Sequence, residues 1–182
     1  PPPPHVPAGL SHRLTRGLHK PGVTPIVDAT GAPPRLAMRA GPDVVSPNML
    51  ESEELVGHEF NDDDDRVIAV REMVSLGARE AIMTVPDGCL AQVVVDGTPR
   101  LHRVRINPRE PVAAVGSGDA FLAGYVAARY VGSSPEECLR FGVACGAEST
   151  RRLGAGLIDA REVDRLVGEV TITELQLPAG VS

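Results

Sequence analysis

The chemistry-bearing residues of this chain gather in one short run, Val115-Gly116-Ser117-Gly118-Asp119-Ala120-Phe121, where two glycines precede a carboxylate. Closely spaced glycines permit a tight turn and expose successive N–H groups, and unpaired donors at a helix N-terminus attract negative oxygens. A carboxylate beside a held anion is a poor anion ligand, because like charges repel. Its useful task is to take a proton from an attacking hydroxyl, so the residue types point to phosphoryl transfer onto an alcohol with Asp119 as the base. The plainer alternative is a polar loop that caps a helix, with Asp119 favoured by the helix dipole. Other glycine motifs do not fit. Phe121 stands where a dinucleotide fingerprint needs its third glycine, no Gly-Lys-Ser/Thr of a Walker loop is present, and Ser117 has Val115 and Asp119 where a nucleophile elbow has glycines.

The run resembles the C-terminal signature of the PfkB (ribokinase-like) carbohydrate kinases, whose Gly-Ala/Ser-Gly-Asp forms an anion hole and supplies the catalytic base. Pro47-Asn48-Met49-Leu50-Glu51 is similar to that family's Pro-Asn-x-x-Glu segment. Ile26-Val27-Asp28-Ala29-Thr30-Gly31 is similar to the strand and Asp-x-Ser-Gly turn of its phosphosugar kinases, the 1-phosphofructokinase and tagatose-6-phosphate kinase branch. Phe141 to Ala147, continuing to Leu153-Gly154-Ala155-Gly156, resembles the helix and glycine turn that flank the adenine. These motifs occur in family order, and the resemblance covers nearly the whole chain.

The resemblance implies an α/β fold, ribokinase-like, with three α/β/α layers and a mostly parallel sheet. Residues 1–182 would be the C-terminal, nucleotide-binding and catalytic portion of a kinase domain. The implied reaction moves the γ-phosphoryl group of ATP to a hydroxyl of a sugar or sugar phosphate, in the manner of 1-phosphofructokinase, with Mg2+ as cofactor. In that reading Asp119 is the base, and the N–H groups of Gly116, Ser117 and Gly118 form the anion hole. Asn48, Thr84, Gly88 and Gly146 contact the nucleotide, and Glu51 orders magnesium-bound water. Pro3-Pro4-His5-Val6-Pro7-Ala8 resembles the tail of the family's Gly-Ser-Leu-Pro-Pro-Gly-Val-Pro motif, so the sequence reads as starting inside a motif, with the N-terminal part and lid missing. A second reading is therefore an inactive nucleotide-binding remnant, or half of a split kinase whose partner is a separate N-terminal half; a homodimer is the other partner expected.

Three departures from the family pattern stand out. Thr84-Val85-Pro86-Asp87-Gly88 occupies the place of a Ser/Thr-x-Gly-x-x-Gly nucleotide loop but is one residue short and lacks its first glycine. Ala113-Ala114 replaces a polar pair, so no monovalent-cation site is expected through those side chains. Glu148 stands where relatives have a small or amide residue.

The elements that position these residues can be read from spacing and punctuation. Pro1 to Pro4 predicts an extended lead, and Leu10, Leu14 and Leu18 predict a helix over 7–20 stopped by Pro21-Gly22. Strands are expected at 24–28 and 43–46, with helices at 34–39 and at 49–56, the latter closed by Gly57. An acidic run, Asn61 to Asp65, should open a helix that ends near Leu76 and Gly77. Glu80 to Val85, Cys89 to Val95 and Leu101 to Ile106 read as strands, the last two joined by an Asp96-Gly97 turn. A helix should run from about Gly118 to Tyr130. Ser134-Pro135-Glu136-Glu137 is a start signal for the next, which carries Cys138, Phe141, Cys145 and Ala147. A last helix is expected at 161–168 and an edge strand at 170–175.

A formal charge of −6 excludes a basic nucleic-acid surface, and 42% hydrophobic with 23% charged residues is ordinary for a globular domain. The three cysteines form no Cys-x-x-Cys pair, which predicts reduced thiols and a cytoplasmic location. His5, His12 and His19 recur at seven but have no ligand partners at metal spacing, and the acidic run lacks the spaced oxygens of a calcium loop. No apolar run approaches the ~18 residues of a membrane span.

Overall fold

The computed structural model describes residues 10–28, 38–107, 111–151 and 153–176. The polyproline lead, the Pro3–Ala8 motif, the Ala29-Thr30-Gly31 turn and most of the helix expected at 34–39 lie outside them.

In chain order the elements are α1 (Leu10–Gly17), β1 (Ile26–Val27), β2 (Val44–Val45), α2 (Met49–Val56), α3 (Asp63–Ser75), β3 (Glu80–Val85), β4 (Gly88–Val95), β5 (Thr98–Arg105), α4 (Ser117–Tyr130), α5 (Pro135–Ser149), α6 (Ala160–Val167) and β6 (Thr171–Leu175). The strand order follows the chain from β1 to β6. Pairing is parallel from β1 to β3 and antiparallel between β5 and β6, so the sheet is mixed. The two-residue Pro86-Asp87 link leaves β3 and β4 room only for a hairpin. Asp96 and Gly97 both adopt positive φ, 49° and 78°, as the turn into β5 demands.

The chain divides into two compact units. The first takes the described residues up to Met83 together with Leu90–Val94. Its core is built on Val44 and Val45, fully buried, with Leu55 from α2 and Val70 and Met73 from α3. Two local signals set its helices. Asn48 and Glu51 form a reciprocal capping box at the start of α2, which Gly57 closes with φ 94°. Asp62 caps α3 through the Asp65 N–H. The acidic run is thereby absorbed locally, since Asp63 pairs with Arg66 at 2.6 Å and Asp65 accepts from both nitrogens of Asn61. The first helix differs from expectation. It ends at Gly17, short of the expected Lys20, and Leu14 and Leu18 of the predicted stripe are about half exposed while Thr15 is buried. Four-residue spacing marks one face of a helix, but tertiary packing decides which face turns inward.

The second unit holds Thr84–Cys89 and Val95–Gln176. Its centre is the contact of α4 with α5, where Phe121, Tyr125, Leu139 and Cys145 are buried. Small residues let the two backbones approach closely. A Cβ on Gly124 would lie 2.6 Å from Cys145 Sγ, and one on Gly142 would lie 3.0 Å from the Phe121 ring. The predicted start of α5 is realised in full, with Ser134 and Glu137 reciprocally bonded and Pro135 at the first turn.

Candidate active site

The turn into α4 is conformationally specified. Gly116 caps the helix in the left-handed region, with φ 85° and ψ 4°, and a Cβ there would lie 2.8 Å from Ala155 Cβ and 3.0 Å from the Gly156 nitrogen. Both the backbone and the space require glycine. Ser117 folds back on the turn, its N–H and its hydroxyl both donating to the Ala114 carbonyl, at 3.2 and 2.9 Å. Its N–H, expected to face an anion, is thus shared with the chain in this arrangement.

Gly118 departs from the expectation that both glycines serve the turn. It lies inside α4, outside the positive-φ set, and a Cβ there would meet nothing within 4 Å. Its lack of a side chain keeps open space at the helix start. Asp119 lies in the first turn of α4 and is exposed. No side chain caps this helix, whereas Asn48, Asp62, Ser134 and Asp159 cap α2, α3, α5 and α6. Beyond Ser117, the first amides of α4 therefore present donors and the positive end of the helix dipole to solvent beside a carboxylate.

Gly146 faces this turn from α5, where a Cβ would lie 3.3 Å from the Ser117 carbonyl oxygen and from Phe121 Cβ. The second unit so brings Gly116, Ser117, Gly118, Asp119 and Gly146 into one neighbourhood. Thr84 and Gly88 belong to the same unit, at the β3–β4 hairpin. Gly88 has φ 140° and would drive a Cβ into the Val104 carbonyl, so β5 itself dictates glycine there. Asp87, the residue that shortens the presumed loop, is clamped by buried Arg103 at 2.5 Å and by Arg105 at 3.4 Å, and its carbonyl accepts from Ile106.

Asn48 and Glu51 sit in the first unit. Glu51 Oε2 accepts from the Asn48 N–H at 2.9 Å, and Asn48 Oδ1 accepts from the Glu51 N–H at 3.0 Å. Burial raises the Glu51 carboxyl above its usual range against the lowering effect of the Asn48 bond, and the negative charges of Asp28 and Glu54 add to the rise. Carboxylates that repel in this way favour a nearby cation. Among the described residues no group of three ligating side chains is gathered for direct metal coordination.

Two features escaped the sequence reading. One is the Arg103–Asp87–Arg105 clamp. The other is an ion-pair chain in which Arg151 joins buried Glu148 to Glu162, and Arg165 joins Glu162 to Glu169. Only the Glu148/Arg151 and Glu162/Arg165 spacings of three and the Arg165/Glu169 spacing of four hinted at it. Cys145 is buried against α4, which pushes its thiol up to about 11, far from reactive.

The profile of the pfkB family carbohydrate kinases matches residues 4–161. The chain belongs to that family. The PfkB chain is 26% identical over 175 residues to the 1-phosphofructokinase of Haemophilus influenzae, a match covering 94% of this chain and 55% of the relative. Among solved structures it is similar to phosphofructokinase-2 from Escherichia coli in complex with potassium, with TM-score 0.80 and 28% identity over 91% of this chain and 53% of the other. It is also similar to Arabidopsis thaliana ribokinase complexed with ribose and ATP, with TM-score 0.73 and 26% identity over 88% and 53%. These likenesses establish the α/β, ribokinase-like fold of the PfkB chain. The chain spans about half the length of the relatives it matches. Among the described residues no helix is long and apolar enough to cross a membrane.

Proposed function

We propose that residues 1–182 are the nucleotide-binding and catalytic portion of a PfkB-type kinase that moves the γ-phosphoryl group of ATP to a hydroxyl of a sugar or sugar phosphate, in the manner of a 1-phosphofructokinase. The observation that carries this reading is the uncapped N-terminus of α4 with Asp119 exposed in its first turn. Phosphoryl transfer asks the protein chiefly to position reactants and to neutralise charge. The amides of Gly116 and Gly118, joined by that of Ser117 when it leaves the Ala114 carbonyl, provide donors for the phosphoryl oxygens, and the absent side chain at Gly118 leaves them room. Asp119, beside that pocket of donors, accepts the proton of the acceptor hydroxyl as the oxygen–phosphorus bond forms. Thr84, Gly88 and Gly146 contact the nucleotide in this reading. Asn48 offers its side-chain amide to the triphosphate, and Glu51 orders the water shell of Mg2+. The ion, when bound, neutralises triphosphate charge.

A second reading is an inactive nucleotide-binding remnant, or half of a split kinase. Here the chain binds nucleotide but transfers phosphate only with a second polypeptide that completes the sugar site, or not at all. Calorimetric titration with Mg·ATP and a transfer assay over fructose and tagatose phosphates test both. Binding with turnover supports the first reading. Binding without turnover supports the second, and absence of nucleotide binding refutes both.

A further inference from the structure

The loop between α5 and α6 meets the start of α4 at two places. The Thr150 carbonyl accepts from the N–H groups of Val112 and Ala113, at 2.8 and 3.1 Å. Ala155 and Gly156 then close on Gly116, within 3.0 Å of where its Cβ would stand. Yet the loop has little core of its own, since Leu153, Leu157 and Ile158 are exposed by 79%, 57% and 44%. A loop whose large apolar side chains face solvent keeps its place through polar ties at its base.

Arg151 provides that tie. Its Nη1 lies 2.8 Å from Glu162 Oε2 in the first turn of α6 and 3.4 Å from Glu148 Oε2 near the end of α5. Glu148 is 1% exposed, so the guanidinium reaches from a buried carboxylate across the mouth of the loop. Glu162 is held in turn by Arg165 at 2.9 Å. We propose that Arg151 is a positioning residue: by pinning α5 to α6 it fixes the Thr150 carbonyl and the Ala155-Gly156 backbone against residues 112–116, and so sets the geometry of the turn at Gly116. Its effect on nucleotide affinity rests on the kinase reading of that turn, while its effect on the turn does not.

The test uses the whole 182-residue chain and its Arg151→Ala, Arg151→Lys and Glu162→Gln variants. Amide hydrogen exchange is followed by mass spectrometry, and Mg·ATP affinity by calorimetry. Arg151→Ala should speed exchange over 112–118 by about tenfold or more and leave 80–95 unchanged, because local openings are separable from global unfolding. Lysine keeps the charge but lacks the planar fork, so Arg151→Lys should restore part of the protection. If Arg151→Ala does not fold, Glu162→Gln must still give the same local pattern, since it spares the Glu148 contact. Mg·ATP affinity should fall with the protection of 112–118 across the series. Unchanged exchange at 112–118, or a rise spread evenly over all peptides, overturns the proposal. A wild-type chain that binds no Mg·ATP refutes the kinase reading, and the exchange data then still decide the positioning role.

Discussion

Gly116 and Gly118 look alike in sequence, but alanine at each should have opposite effects on stability. Gly118 is helical, and its Cβ would meet nothing, so Gly118→Ala removes unfolded-state entropy without strain. The gain should be about 0.5–1 kcal/mol, which for a chain of this size raises Tm by roughly 1–4 °C. Gly116 has φ 85° and faces Ala155 Cβ at 2.8 Å. Alanine there pays ~1–2 kcal/mol for the left-handed backbone and about 1–3 kcal/mol for overpacking, a fall of roughly 4–20 °C. Function should separate from stability at Gly118. A methyl group at the open helix start would stand where phosphoryl oxygens approach, so the more stable Gly118→Ala chain should bind Mg·ATP at least about tenfold more weakly, about 1.4 kcal/mol. Thermal unfolding followed by circular dichroism, with calorimetric titration of the same preparations, reads both quantities. Gly118→Ala that gains stability and keeps wild-type ATP affinity would refute the assignment of that space to phosphate.

In an assembly that turns over sugar phosphate, Asp119→Asn should lower kcat by ~10²–10⁴ with ATP affinity nearly unchanged, measured by steady-state kinetics and titration. Asp87→Ala removes a charged partner of buried Arg103 and should cost about 1.5–3 kcal/mol in urea unfolding, more than Arg105→Ala on the exposed side of the same clamp. His58 donates toward Glu72 at 3.1 Å, and that bond raises its pKa above 6.5. The associated stabilisation is fully present below about pH 6.5 and is lost as pH rises through the raised value. Urea midpoints of wild type should therefore fall relative to His58→Gln over that rise, and parallel pH profiles would show the pair to be inert.

Elements with their own punctuation were legible in the sequence. Ser134-Pro135 with Glu137 marked the start of α5, Asp96-Gly97 marked a hairpin, and Gly57 closed α2, because caps and tight turns depend on neighbouring residues alone. Where a distant surface decides, the pattern misled. Leu14 and Leu18 of the stripe predicted for the first helix are about half exposed. Asn48-x-x-Glu51, read through the family resemblance as a nucleotide and magnesium segment, forms a capping box, a local motif compatible with that role. The run from Gly116 to Asp119 was visible as a unit because it is contiguous. The clamp of Asp87 by Arg103 joins residues 16 apart, and Arg151 reaches Glu162 across a loop, so neither has a local signature. Nor could spacing distinguish a glycine required by its φ angle from one required by the space around it.

The close seating of α4 on α5 makes Asp119 mechanically part of the helix pair. Gly124 lies five residues along α4 from Asp119, about 7.5 Å away along the helix axis. A methyl group at Gly124 has no room and one at Gly142 would be tight against Phe121, so the helices must slide or spread to admit the first and give slightly for the second. Because a helix moves as a stiff rod, the carboxylate at its tip shares that displacement. A shift of about 1 Å in a reacting group can cost ~10² in rate. In the proposed kinase reading, substitutions at these two buried glycines should therefore lower turnover as well as stability, a sensitivity that runs along the rod and not around the site.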